Sequence, residues 1–286
     1  MKARHFLAAV PVFLLACSVN QSSETVSAGT TPPASAATAQ ARLSASPRHG
    51  EWVMVKTSAT DSVRAWLVYP ERRSKAPVVV VVHEIFGLSN WVRSVADQLA
   101  ADGFIAIAPD LLTMKNLPNT PNGEPNPDSA RAAIRTLDWQ SYQRDISEVA
   151  KFAMNLPAAT KKYGVVGYCW GGTAVFAHAL MYPDADAVVS YYGTTPQVNS
   201  QIAARYPQVQ ASVLGLYGEN DERVNATIAP ADSAMKANGK VYEYKIFPGA
   251  GHGFLRQQDG ANGANLQATQ QAWPMTVAWF RKHLAS

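Results

Sequence analysis

Cysteine, charge and long apolar runs are all scarce in this chain of 286 residues. Two cysteines, Cys17 and Cys169, are too few for a disulfide scaffold or a Cys-rich metal cluster. Charged residues make up only 16%, against roughly 25% in ordinary soluble proteins. The net charge of +4 comes with no Lys/Arg block longer than two residues, so nothing here reads as a nucleic-acid surface. The apolar run Phe6 to Ala16, broken by Pro11, is too short to cross a bilayer as a helix. Hydrophobic residues, by contrast, reach 47%; a sizeable core is available and wholesale disorder is excluded.

The amino-terminal residues stand apart from the fold. Lys2 and Arg4 precede the Phe6–Ala16 run, the pattern of a secretory signal over residues 1–16. The run ends in Leu14-Leu15-Ala16-Cys17, which resembles the lipobox of bacterial lipoproteins. That resemblance implies cleavage before Cys17, lipidation of its thiol, and an exported, periplasmic or membrane-anchored protein; an ordinary cleaved signal is the alternative. Loss of Lys2 and Arg4 lowers the net charge from +4 to +2. In residues 17–47, 22 of 31 positions are Ser, Thr, Ala, Pro or Gly without apolar periodicity, so a flexible tether is expected. Residues 48–286 are of single-domain length for an α/β protein.

Within that domain, strand and helix patterns alternate. Val63–Tyr69, Val78–Val82, Phe104–Ala108, Tyr163–Gly167, Ala187–Tyr192, Ser212–Tyr217 and Val241–Phe247 read as strands. The five consecutive valines suit a strand buried on both faces of a parallel sheet. Asn90–Asp102, Asp128–Asn155, Cys169–Tyr182, Val224–Asn238 and Leu266–Leu284 read as helices. The alternation predicts a doubly wound, mostly parallel α/β sheet with helices on both faces. Residues 115–127 hold four Pro and four Asn and form a long loop, a place where function often sits.

One string carries chemistry. Gly167-Tyr168-Cys169-Trp170-Gly171-Gly172 lies between a strand and an Ala-rich helix, the arrangement of a nucleophile elbow. Small residues let the chain turn sharply while the central side chain projects from the sheet, and a helix start favours a thiolate. The base must follow. His252, in the glycine-rich stretch Gly249–Phe254, is preferred to His283 near the chain's end. For the orienting acid, Asp221 follows the Ser212–Tyr217 strand, with Glu219 as local competitor.

These residues bring a family into view. Gly-Tyr-Cys-Trp-Gly-Gly, His83-Glu84-Ile85-Phe86-Gly87-Leu88 after the valine strand, and Phe104–Leu111 together resemble the dienelactone hydrolase family, α/β-hydrolases with a cysteine nucleophile. The resemblance spans roughly residues 50–284. It implies Cys169 as nucleophile, His252 as base, Asp221 as its orienter, and Glu84 as the group that contacts the resting thiol and helps to activate it. It implies an oxyanion hole from the backbone N–H groups of Ile85 and Trp170. Arg256 matches one of the family's two carboxylate-binding arginines; Arg131 and Arg135 lie in the region of the other, where the Pro/Asn-rich insertion spoils the register. His83-Glu84 lacks the second histidine of a zinc helix, so no metal and no cofactor are expected.

The function so implied is hydrolysis of a small-molecule ester or lactone through a thioester. A broader carboxylesterase or acyltransferase would use the same residues, and a non-catalytic or redox-sensing thiol protein would keep the same fold. No nucleic-acid partner is expected, a membrane only through a lipid on Cys17, and the chain is expected to be a monomer.

Overall fold

In the computed structural model, residues 1, 30–197 and 200–285 are described. The signal, Cys17 and the first part of the expected tether therefore lie outside the described residues. From residue 30 onward the chain departs from the tether expectation. It runs along the body and forms α1 (Ala39–Ser44), with Ala39 buried. The segment's few polar side chains supply what its composition concealed: Arg48 clamps Asp97 with Nε–Oδ1 and Nη2–Oδ2 distances of 2.9 and 2.6 Å.

Eight strands form one sheet. They are β1 (Gly50–Lys56), β2 (Ser62–Val68), β3 (Ala76–Val82), β4 (Ile105–Pro109), β5 (Ala159–Tyr168), β6 (Ala187–Tyr191), β7 (Ser212–Asn220) and β8 (Tyr242–Gly251), in the order β1-β2-β4-β3-β5-β6-β7-β8. From β4 to β8 all pairings are parallel, while β2 is antiparallel to both its neighbours. β1 escaped the sequence reading because it is an edge strand with Trp52 and Met54 exposed. In β3, Val78, Val80 and Val82 enter the core on one face, and Val79 and Val81 the core on the other. All five are fully buried, worth about 1.5–3 kcal/mol each.

The helices are α2 (Asn90–Ala101), α3 (Pro127–Ile134), α4 (Trp139–Met154), α5 (Trp170–Met181), α6 (Ser200–Ala203), α7 (Glu222–Asn225), α8 (Ile228–Ala237) and α9 (Ala264–His283). α4, α5 and α8 cover one face; α1, α2 and α9 cover the other. The helix expected over 128–155 is two helices. Asp138 takes an extended conformation and accepts the Ser141 N–H at 2.8 Å, starting α4 afresh. The 224–238 helix is likewise divided, between α7 and α8.

The winding reverses at β3. The chain passes from β3 to β4 on one side, then continues through β5 to β8 on the other. Ligands of open α/β sheets bind at the strands' carboxyl ends near such a reversal. Glu84 follows β3 and Cys169 follows β5, and these strands are paired, Val82 opposite Gly167.

Candidate active site

Cys169 is the first residue beyond β5 and takes φ +56°, ψ −115°, a conformation costing a non-glycine residue about 1–3 kcal/mol. The turn survives because its neighbours admit no side chains. A Cβ on Gly167 would lie 2.1 Å from the Gly171 carbonyl oxygen, and one on Gly171 would lie 2.4 Å from that of His83. The Cys169 N–H donates to the Tyr191 carbonyl at 3.0 Å, and its carbonyl accepts from the Thr173 N–H at 3.2 Å.

The thiol meets His252. Sγ and Nε2 are 3.0 Å apart, and the opposite nitrogen, Nδ1, is 2.6 Å from Asp221 Oδ2. Strand register brings the last two together. β7 and β8 run past the ends expected from the sequence, and after a register shift Asn220 pairs with Gly251; Asp221 and His252 are the next residues of each chain. Glu219, the rival acid, accepts the Gly249 N–H instead, at 2.8 Å. The His283 ring packs at a tilt against that of Trp279, 4.4 Å between centres. With Asp221 accepting at Nδ1, that nitrogen bears the proton and Nε2 faces the sulfur. Burial pulls the imidazole's pKa down, but the hydrogen bonds and charges of Asp221 and Cys169 outweigh it and raise the value to about 9.

Glu84 has another partner. Its Oε1 lies 2.7 Å from Arg256 Nε. The approach is poorly directed, so neither atom makes a well-formed hydrogen bond. Burial raises the Glu84 carboxyl to about 7, against the pull of Arg256 and His252. The Arg256 guanidinium rests over the Phe86 ring, 4.9 Å from its centre. Among the described residues no hydrogen bond joins Glu84 to the thiol; the carboxylate lies against the arginine and the thiol against the histidine.

The remaining candidates divide. Neither the Ile85 nor the Trp170 backbone N–H has an acceptor among the described residues, as an oxyanion site requires. Arg135 ends α3 with an exposed side chain that joins none of the residues above. Arg131 pairs with Asp128 on the same helix. Trp139 is exposed, while Tyr142 packs edge-on against Trp170 at 5.0 Å. Residues 115–127 close a small bridge, Asn119 to Pro125, and Pro125 packs over Gly87. No group of three or more His, Cys, Asp or Glu side chains among the described residues is placed to hold a metal ion.

Three supporting residues were not among the site candidates read from the sequence. His83 is fully buried, accepts the Leu111 N–H on Nε2 at 3.2 Å, and so donates from Nδ1 to the Glu84 carbonyl at 2.8 Å. It fixes the peptide whose N–H belongs to Ile85. Tyr192, at φ +39°, sets its ring 5.2 Å from that of His252. Phe86 supports Arg256. The Tyr191-Tyr192-Gly193 string at the end of β6 was the available signal for Tyr192, and a Cβ on Gly193 would lie 2.3 Å from the Gly172 backbone.

A thiol, imidazole and carboxylate in series can attack an acyl carbon, and N–H groups without an acceptor among the described residues, as at Ile85 and Trp170, can receive an oxyanion. Comparison with known proteins identifies a family. Residues 63–284 match the dienelactone hydrolase family. A protein of Yersinia pestis provisionally named carboxymethylenebutenolidase is 28% identical over 233 residues, covering 79% of this chain and 86% of that one. An Escherichia coli K12 protein with the same provisional name is 28% identical over 233 residues, with 79% and 84% covered. The crystal structure of a provisionally named dienelactone hydrolase from Klebsiella pneumoniae superposes with a TM-score of 0.71 at 24% identity, covering 82% of this chain and 99% of that one. Such a level of identity shows the shared fold.

Proposed function

This chain belongs to the dienelactone hydrolase family and is a hydrolase of the α/β-hydrolase fold, and from that premise we propose that it cleaves a small ester or lactone through a Cys169–His252–Asp221 triad. The observation that carries the reading is the unbroken series of contacts from Sγ through the imidazole to Asp221, 3.0 and 2.6 Å long.

Cys169 Sγ, its proton shared with His252, attacks the substrate's acyl carbon. The acyl oxygen takes up negative charge between the Ile85 and Trp170 N–H groups. Collapse breaks the acyl–oxygen bond, and the thiol's proton passes from His252 to the departing alkoxide or enolate, which leaves as an alcohol or enol with a thioester on Cys169. His252 then removes a proton from water, the hydroxide adds to the thioester carbon, and the thiolate leaves as the carboxylic acid forms. Asp221 holds the tautomer that each step requires.

Arg256 directs the choice of substrate. A carboxylate on the substrate competes with Glu84 for the guanidinium, whose fork suits a bidentate anion. The poorly directed 2.7 Å contact supports a pair that yields to a better-aligned anion. Released from Arg256, Glu84 is free to act on the thiol. We further propose, on the residues 1–17 alone, that the enzyme is exported and acts outside the cytoplasm.

The test is a panel of lactones and activated esters, with and without a free carboxylate, assayed on the native chain and on Cys169→Ala. Activity on anionic lactones or esters that disappears in Cys169→Ala and after thiol alkylation is expected. Turnover undiminished in a pure Cys169→Ala preparation would refute the assignment.

A further inference from the structure

The strap formed by residues 31–48 precedes the family match at residue 63, yet it bonds directly to the chain segment that carries Arg256. The Ala36 N–H donates to the Arg256 carbonyl at 3.0 Å. The Gln258 side-chain amide bridges the two segments from the other side, donating from Nε2 to Pro33 O at 2.9 Å and to Leu255 O at 3.0 Å. The indole N–H of Trp91 donates to Ala34 O at 3.1 Å, while its ring meets that of Tyr168, the residue before the thiol, at 5.0 Å.

The strap is itself anchored hard. Asp97, 3% exposed in its side chain, receives Arg48, whose side chain is 8% exposed, and also receives Ser46. Farther along, the buried Asn90 ties the strap to the 115–127 loop. Its Nδ2 donates to Gln40 Oε1 at 2.6 Å, and its backbone N–H donates to Glu124 Oε1 of the 115–127 loop at 2.7 Å. The Arg256 backbone is therefore held by residues far upstream as well as by its own N–H to the Gly253 carbonyl at 2.9 Å, while its side chain, among the described residues, makes the oblique Glu84 contact and the Phe86 stack.

We propose that the amino-terminal strap is a specificity element, with Ala36 and Gln258 as positioning residues that hold the Arg256 backbone where its guanidinium receives a substrate carboxylate. A guanidinium reached through several rotatable bonds discriminates anions only if its Cα is stationary; misplacement by about an ångström spoils bidentate geometry. The proposal rests on the reading of Arg256 as the carboxylate receptor. It leaves the chemistry at Cys169 unaffected, because the strap bonds to neither the thiol, His252 nor Asp221.

The experiment uses the full chain and two esters of similar length, the p-nitrophenyl half-ester of glutaric acid and p-nitrophenyl pentanoate. Ala36→Pro removes the donor to Arg256 O at a position that favours proline, since Thr38 N–H bonds back to Ser35 O across the turn. Ala36→Pro and Gln258→Ala are each expected to raise KM for the anionic ester about three- to tenfold. kcat/KM for the neutral ester should stay within twofold, and thermal melting within a few degrees. Gln258→Ala removes only a side chain and serves if the proline variant misfolds. Equal loss on both esters, or no loss on either, would overturn the strap's role. Arg256→Ala in the same assay separates the two layers. If it discriminates between the esters while both strap variants do not, the strap proposal alone fails. If Arg256→Ala does not discriminate, the carboxylate reading fails and the strap's specificity role falls with it.

Discussion

The site has two halves of contrasting construction. On one side Cys169, His252 and Asp221 make directed contacts in series, each held by the end of a different strand. On the other, Glu84 and Arg256 sit 2.7 Å apart without a well-directed hydrogen bond between Nε and Oε1, on residues supported from outside the sheet. The difference teaches that bond-making and recognition make opposite demands. A nucleophile gains from a geometry settled before substrate arrives, because no reorganisation is then needed at the moment of reaction. An internal ion pair that must exchange partners gains from being suboptimal, because every directed bond within it would have to be broken by the incoming anion.

That contrast can be broken, and the sharpest instrument is Asp221→Asn. Geometry would persist while the wrong imidazole tautomer is favoured, so kcat should fall by about 10⁴-fold; a loss under tenfold in steady-state assays would mean that the triad is not preset. Glu84→Gln acts on the other half. Without a rival carboxylate at Arg256, KM for an anionic ester should fall, while kcat should drop by about 10²-fold through loss of help to the thiol. A fall in kcat with unchanged KM would mean that Glu84 and substrate do not compete. Phe86→Ala removes the aromatic floor under the guanidinium and should raise KM for the anionic ester about two- to fivefold, with neutral esters unaffected.

The smallest effect is one of stability and pH. His252 is raised to about 9 in the fold, so its charged form is favoured there. Its contribution is complete below the ordinary histidine pKa of about 6.5 and is lost as pH rises through about 9. Glu84, raised to about 7, also contributes most at low pH and loses its contribution as pH rises through that value. It is present in both the native chain and His252→Ala, and largely cancels between them. The melting temperature of the native chain should therefore decline relative to His252→Ala between pH 7.5 and 9.5, and parallel curves would refute the assigned interaction.

Most of the sheet was legible because its signal is local. Five valines in a row, or an apolar strand closed by a glycine-flanked cysteine, announce burial on two faces and a strained turn without reference to any other part of the chain. Cys169 and His252 stand out as candidates for the same reason. The pairing around them was less legible: a register shift between β7 and β8 sets Asp221, and not Glu219, against His252, a property of two strands jointly. The strap was misread because Ala, Ser, Thr and Pro say nothing of burial when the groove that receives them is built by α2. The contact expected between Glu84 and the thiol was set aside by Arg256, 172 positions downstream, which no window on Glu84 could include. The break before α4 was missed because amphipathic periodicity continues through it, although Asp138 and Ser141 carried a capping signal.

The pairing of Asn220 with Gly251 has a bearing on how this enzyme can diverge. Acid and base are spaced by rungs of a backbone ladder, and side chains of the intervening residues take no part in that measurement. Between Phe247 and His252, apart from Gly249 at φ +68° and the buried Ala250, composition can drift, whereas length cannot. Deleting one residue there would rotate the imidazole to the opposite side of its strand and part it from Asp221. Insertions and deletions on the histidine's own approach are therefore closed to lineages descended from this chain, where substitutions are not.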